Sequence, residues 1–204
     1  MDTYKYIDTP EDIRVLLSEL FDKEIHDMED ENLDGRLEQY APFYKPDLCD
    51  DPGILRLVDI SRELLNQHGF PVIDTPVSET AVECVVEFHM YKAIGDEMMS
   101  PEFTAHIDDH GATTCKVNTI IFYIEKTGLS GGDLLIYPNG KPHKKSNPLV
   151  ELIITPIIIN RVIVESNKIL FLRGDVWHEP ETMRNISNEI NGVRKCIVVQ
   201  IRRD

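Results

Sequence analysis

The sequence predicts an α+β protein that is mainly β, with a helical first third followed by an antiparallel sandwich, jelly roll or small barrel. Three observations carry this. Apolar residues recur at spacings of three and four up to about residue 70, the period changes to two from about residue 80, and the later runs are short and divided by turn signals. A chain of 204 residues suits one unit and can bury a core without a disulfide or metal staple. A single domain over 1–204 is expected, with 1–75 as helical support and 76–204 as the β core.

In chain order, Glu11 to Phe21 sets Ile13, Leu16, Leu17 and Leu20 on one stripe behind a Thr9-Pro10 start signal. The acidic run Asp22 to Asp34 reads as a solvated helix end or loop. Ile54 to His68 repeats the helical pattern, and Gly69 is a plausible C-cap. Strands are expected over Val82–Tyr91, Phe103–Asp108, Lys116–Glu125, Asp133–Tyr137, Leu149–Thr155, Arg161–Glu165, Lys168–Leu172 and Val193–Ile201. Turn signals at Gly131-Gly132, Pro138-Asn139-Gly140, Ser166-Asn167 and Gly174-Asp175 separate them. In the first of these strands, Cys84, Val86, Phe88 and Met90 form an apolar face while Glu83, Glu87, His89 and Tyr91 share the other. One face can pack under the helices while its opposite lines a polar cavity.

Composition narrows the function. Thirty-six acidic against 21 basic residues give a formal charge of −15, a field that repels phosphate backbones and anionic membranes. Cys49, Cys84, Cys115 and Cys196 form no CxxC pair, so reduced thiols and a cytoplasmic location are expected. The first ten residues lack the apolar run of a secretory signal. The greasiest stretch, Leu149 to Val164, is interrupted by Glu151, Pro156, Asn160 and Arg161, too polar and short to span a bilayer.

The chemistry is carried by His106 and Asp108, which leave the same face of an expected strand. Alone the pair is a weak signal, equally readable as a surface strand. Its context is a later strand, Ile169 to Leu172, that ends in Arg173-Gly174-Asp175 and delivers Trp177-His178. Two imidazoles and one carboxylate on one side of an iron leave the remaining positions open for exogenous ligands. Arg194 shares a strand face with Cys196 and Val198, which drives a guanidinium toward the interior, and a small dicarboxylic acid would satisfy it.

Other residues have plainer readings. His110 lacks the glutamate that a helical HExxH zinc site demands, since position 107 is Ile. Arg173-Gly174-Asp175 reads as a turn, His89 as a satisfied sheet histidine, Trp177 as core packing, and Lys144-Lys145 as a solvated turn.

In order and type, the Tyr91-bearing strand, His106-Ile107-Asp108, Thr119 to Tyr123, Ser130 to Leu134, Ile169 to Phe171 leading to His178, and Arg194 to Cys196 resemble the Fe(II)/2-oxoglutarate-dependent oxygenases of the prolyl-hydroxylase-like branch. The likeness runs from about Val82 to the C-terminus. It implies a double-stranded β-helix binding Fe(II) through His106, Asp108 and His178. It also implies 2-oxoglutarate held by Arg194 and the Tyr123 hydroxyl, with Leu134 packed against it, Cys196 beside it where the family has a small residue, and Tyr91 near the primary substrate. The implied reaction consumes O2, with ascorbate as a further candidate, releases succinate and CO2, and hydroxylates an unactivated C–H of a prolyl residue in a protein or peptide. A small-molecule substrate is the other possibility, and nucleic acid is disfavoured by charge.

The chain departs from the family in two places. His178 and Arg194 are 16 residues apart (194 − 178), so Glu181 to Asn191 looks inserted and Arg184 competes as the dicarboxylate anchor. Arg194 is preferred because it begins a strand, whereas Arg184 sits among loop formers. The segment Lys141 to Asn160 is also long, as for a substrate-gripping hairpin or an oligomer edge. A non-catalytic β-helix binding module and a cupin-like metalloenzyme that does not use 2-oxoglutarate are the alternatives from other classes.

Overall fold

In a computed structural model of the chain, the described residues are 3–29, 43–44, 51–72, 84–93, 98–99, 105–110, 116–138, 140, 160–186 and 192–203. They form strand β1 (Tyr4–Asp8), helix α1 (Glu11–Glu29), β2 (Phe43–Tyr44), α2 (Pro52–Gln67), β3 (Cys84–Ala93), β4 (Met98–Met99), β5 (Val117–Thr127), β6 (Leu129–Gly131), β7 (Leu134–Tyr137), β8 (Asn160–Val162), β9 (Lys168–Arg173), β10 (Trp177–Pro180), β11 (Met183–Asn185) and β12 (Gly192–Arg202). A six-stranded sheet runs β1-β9-β5-β12-β3-β2, and two three-stranded sheets run β10-β7-β8 and β4-β11-β6. Every pairing is antiparallel. The fold is thus mainly β with α+β organisation, a jelly-roll core backed by helices.

Strand parity decides what each face of the large sheet meets. Cys84, Val86, Phe88 and Met90 of β3 join Ile120, Phe122, Ile197 and Val199 in a core closed by Ile13, Leu17, Leu57, Val58 and Leu65 of the helices. The opposite face packs Ile121, Tyr123, Leu170, Leu172 and Cys196 against Leu134 and Ile136 of β7. Each of these buried aliphatic or aromatic side chains contributes about 1.5–3 kcal/mol relative to exposure, so the helices stabilise one face while the other is left to enclose a site.

The helix signals act as their chemistry dictates. Asp51 caps α2 by accepting from the Gly53 and Ile54 amides, with Pro52 opening the first turn. Beyond its end Gly69 takes φ +83°, the left-handed conformation glycine adopts cheaply. Helix α1 runs past Phe21 to Glu29, so the first part of the acidic run is helix and the rest lies outside the described residues.

Four strand expectations need correction or completion. Phe103–Asp108 is not a strand where it is described: His106 makes one isolated bridge to His178, and Asp108–His110 is a 3-10 turn. The Asp108 and Asp109 amides both reach the Gly174 carbonyl, a turn that a ladder would forbid. Arg161–Glu165 shortens to β8 because the Val164 amide goes to Asp133 Oδ1 and the Glu165 amide to the Tyr6 hydroxyl. Arg184 lies on strand β11, not in a loop, paired with Met98 and Ser130. Strand β1, in a segment read as helical, adds an edge to the large sheet beside β9. Leu149–Thr155, the segment 141–159, Cys49 and Cys115 lie outside the described residues. No helix among the described residues is long and apolar enough to cross a membrane.

Candidate metal centre

His106, Asp108 and His178 come together with ligand atoms all within 4.8 Å of one another. Asp108 Oδ1 lies 3.8 Å from His106 Nε2 and 3.7 Å from His178 Nε2, and the imidazole centroids are 4.4 Å apart. The reciprocal backbone hydrogen bonds of the His106–His178 bridge, 3.0 and 2.9 Å, set the two histidines side by side. The convergence expected from strand parity is therefore achieved by a bridge and a turn. Gly174 permits that turn: a Cβ there would stand 2.5 Å from the Val117 carbonyl oxygen and 2.6 Å from Asp109 Oδ1.

Each ligand has its own support. Thr119 Oγ1 donates to Asp108 Oδ2, which leaves Oδ1 facing the imidazoles. His178 Nδ1 lies 2.9 Å from the Val176 carbonyl; donation there places the proton on Nδ1 and leaves the Nε2 lone pair toward the cluster. Burial lowers the His178 pKa, with the Asp108 charge opposing and His106 reinforcing, so the imidazole stays in the neutral form a metal needs. Asp109, the next residue, accepts from the Val117 amide at 3.0 Å and from Arg203 at 3.0 Å, locking the turn from behind. Asp108 and His178 are buried, whereas the His106 side chain is 41% exposed, so the cluster opens on the His106 side.

The donor set fits a divalent metal. Asp108 is a buried carboxylate next to two imidazoles, and among the described residues it has no lysine or arginine partner. A buried charge of this kind calls for a cation.

A cavity of about 210 Å³ joins the cluster to Arg194, and Tyr91, Tyr123, Leu134 and Cys196 all line it. Arg194 is 4% exposed. Its Nη1 donates to the Gly132 carbonyl at 3.0 Å, and its guanidinium lies 5.5 Å from the Tyr91 ring centroid and 5.3 Å from that of Tyr123. Gly132, at φ +70°, is required: a Cβ would meet Met183 Cγ at 2.5 Å. Neither Arg194 Nε nor the Tyr123 hydroxyl makes a directed hydrogen bond among the described residues. Burial raises the Tyr123 pKa, so its hydroxyl remains a donor. Arg184 is exposed on β11 and does not line the cavity. Cys84 and Cys196 are buried thiols, and burial raises the Cys196 pKa.

The sequence did not single out Thr119, Asp109 or Gln200. Thr119 has the face parity of Ile121 and Tyr123, a usable signal. The role of Asp109 depends on a contact with Arg203, 94 positions away, and leaves no local trace.

A jelly-roll core whose large sheet is backed by helices on one face defines a fold class. Within it, the chain is similar to IDO from Bacillus thuringiensis (15% identity, TM-score 0.59) and to a Pseudomonas putida prolyl-4-hydroxylase (14%, 0.53), in each case over 99% of this chain and 93% of the other. It is also similar to a Trichoplax adhaerens prolyl hydroxylase solved with a hypoxia inducible factor peptide fragment (11%, 0.52; 99% and 84%). The double-stranded β-helix fold is thereby shared with prolyl hydroxylases. No protein-family profile matches the chain.

Proposed function

We propose that the protein is an Fe(II)- and 2-oxoglutarate-dependent dioxygenase that hydroxylates an unactivated C–H, with a prolyl residue of a protein or peptide as its substrate. One observation carries this: a buried arginine without a carboxylate partner among the described residues shares a cavity with two histidines and an aspartate. A cavity of about 210 Å³ suits a small diacid.

His106, Asp108 and His178 would hold the iron, which when bound with 2-oxoglutarate and O2 supplies the oxidising power for C–H hydroxylation and yields succinate and CO2. Arg194 would receive the far carboxylate of the diacid through its unengaged donors, and the Tyr123 hydroxyl would donate beside it. Leu134 and Cys196 pack the wall between anchor and ligands and exclude water from it. Tyr91 stacks near the guanidinium and faces the primary substrate. Thr119 and Val176 keep Asp108 and His178 in their ligating orientations. Ascorbate would serve as an accessory reductant. The whole chain would act as one unit, with 1–75 supporting the core of 76–204, and buried thiols fit a cytoplasmic setting.

Adding Fe(II) and 2-oxoglutarate to the protein without oxygen should produce a charge-transfer absorption band, and admitting oxygen should release succinate. A protein giving neither is not a 2-oxoglutarate oxygenase; a band without succinate is a binding module; metal affinity without any response to 2-oxoglutarate is a different metalloenzyme.

A further inference from the structure

The cavity has a polar wall that neither the ligands nor the arginine uses. Glu87 and His89 lie on the cavity face of β3, with Glu87 Oε2 and His89 Nε2 2.9 Å apart. This is the one hydrogen bond the Glu87 side chain makes among the described residues. On β12, Gln200 is 6% exposed, lines the same cavity, and its Oε1 has no hydrogen-bond partner among the described residues. The sheet register fixes where this wall stands. Gln200 is opposite Thr119, whose hydroxyl holds Asp108. Glu87 is opposite Val198, two residues or about 6.6 Å back from Gln200 along β12. Arg194 and Tyr91 are opposite each other further along. A ligand held between Arg194 and the metal cluster therefore has Glu87 on its β3 flank, while Tyr123 of β5 stands on the other.

Charge says what that flank wants. In formal charge the lining sets Glu87 and Asp108 against Arg194, one negative charge in excess. A divalent cation and a dianionic diacid cancel each other, so the excess persists in the loaded site. Once a substrate covers the cavity, the second Glu87 oxygen and the Gln200 amide oxygen are costly to leave unmet.

We propose, resting on the oxygenase reading above, that Glu87 receives a cationic group of the primary substrate, an ammonium or guanidinium, and that Gln200 accepts a hydrogen bond from the same molecule. The shared chemistry fits a lysine or arginine side chain flanking the target residue in a peptide, or the amine of a small molecule. His89 is the positioning residue: it holds one carboxylate oxygen of Glu87 and leaves the other for the substrate.

The test is calorimetric titration of the full chain loaded with Mn(II) and 2-oxoglutarate, which reads binding without turnover. The probes are peptides with a central proline flanked by Lys, Gln or Glu, together with free lysine against norleucine. Wild type should bind the Lys-flanked peptide at least about ten-fold tighter than the Glu-flanked one, Glu87→Gln should abolish the difference, and Glu87→Lys should reverse it. The same pattern seen only for lysine over norleucine assigns the cation to a small molecule and upholds the role of Glu87. No binding of any probe, equal binding of all charges by wild type, or a preference that survives both substitutions overturns the proposal. The wild-type series stands even where a variant fails to fold. The succinate assay fails independently, so loss of the oxygenase reading and loss of the Glu87 assignment are told apart.

Discussion

The Asp109 carboxylate and the Arg203 guanidinium meet at 3.0 Å, tying the residue just past the last strand to the turn that carries Asp108. The other Asp109 oxygen takes the Val117 amide at 3.0 Å, so one side chain joins the turn to both β5 and the C-terminus. Arg203→Ala removes a charge-assisted contact between two mostly buried groups and should cost about 2 kcal/mol. Urea unfolding reads the loss, and the same variant should bind metal more weakly because its turn is less fixed.

Thr119→Val keeps the β-branched shape that suits a strand and removes only the hydroxyl held on Asp108. Metal affinity should fall by about 10–100-fold, the usual range for such supports, with the thermal midpoint moved little. An unchanged affinity, measured by Mn(II) titration, would mean that the Asp108 orientation is set by the backbone alone.

Arg194→Ala should weaken 2-oxoglutarate binding by about 100-fold or more while metal binding persists, because removing one partner of a buried charge pair costs about 2–5 kcal/mol. Arg184→Ala should leave cosubstrate affinity at the wild-type value, since Arg184 lies on the exposed side of β11. Calorimetry with both variants decides between them.

The places of Arg194 in the cavity wall and Arg184 on an exposed strand show how far the sequence was legible. Alternation along 193–201 put Arg194 on the interior face because strand parity is a local property. The two-faced character of Cys84 to Tyr91 followed from the same rule, and the structure packs one face under the helices and lines the cavity with the other. Parity misjudged His106 and Asp108, whose placement depends on the distant Gly174 carbonyl and the His178 bridge. Strand β1 escaped notice because an edge strand needs little hydrophobic alternation, and Arg184 because three residues between turns leave no period to detect.

Asp133 links acid stability to the same architecture. Its Oδ1 accepts from Lys126 and the Val164 amide, its Oδ2 from Arg161, and its carbonyl from the Glu181 amide, each at 2.8–3.0 Å. Burial opposes its charge, yet the Val164 amide, Lys126 and Arg161 together bring its pKa below the ordinary carboxylate value. A carboxyl whose folded pKa is depressed adds stability that is present above its unfolded pKa of about 3.9 and is lost as pH falls through the folded value. Asp133→Asn should therefore cost about 2 kcal/mol near neutral pH, where the charge is present, and progressively less in acid. The denaturant midpoints of wild type and variant should converge below about pH 4. A gap that stays constant from pH 7 to pH 3 would show that Asp133 acts by shape and hydrogen bonding rather than by charge.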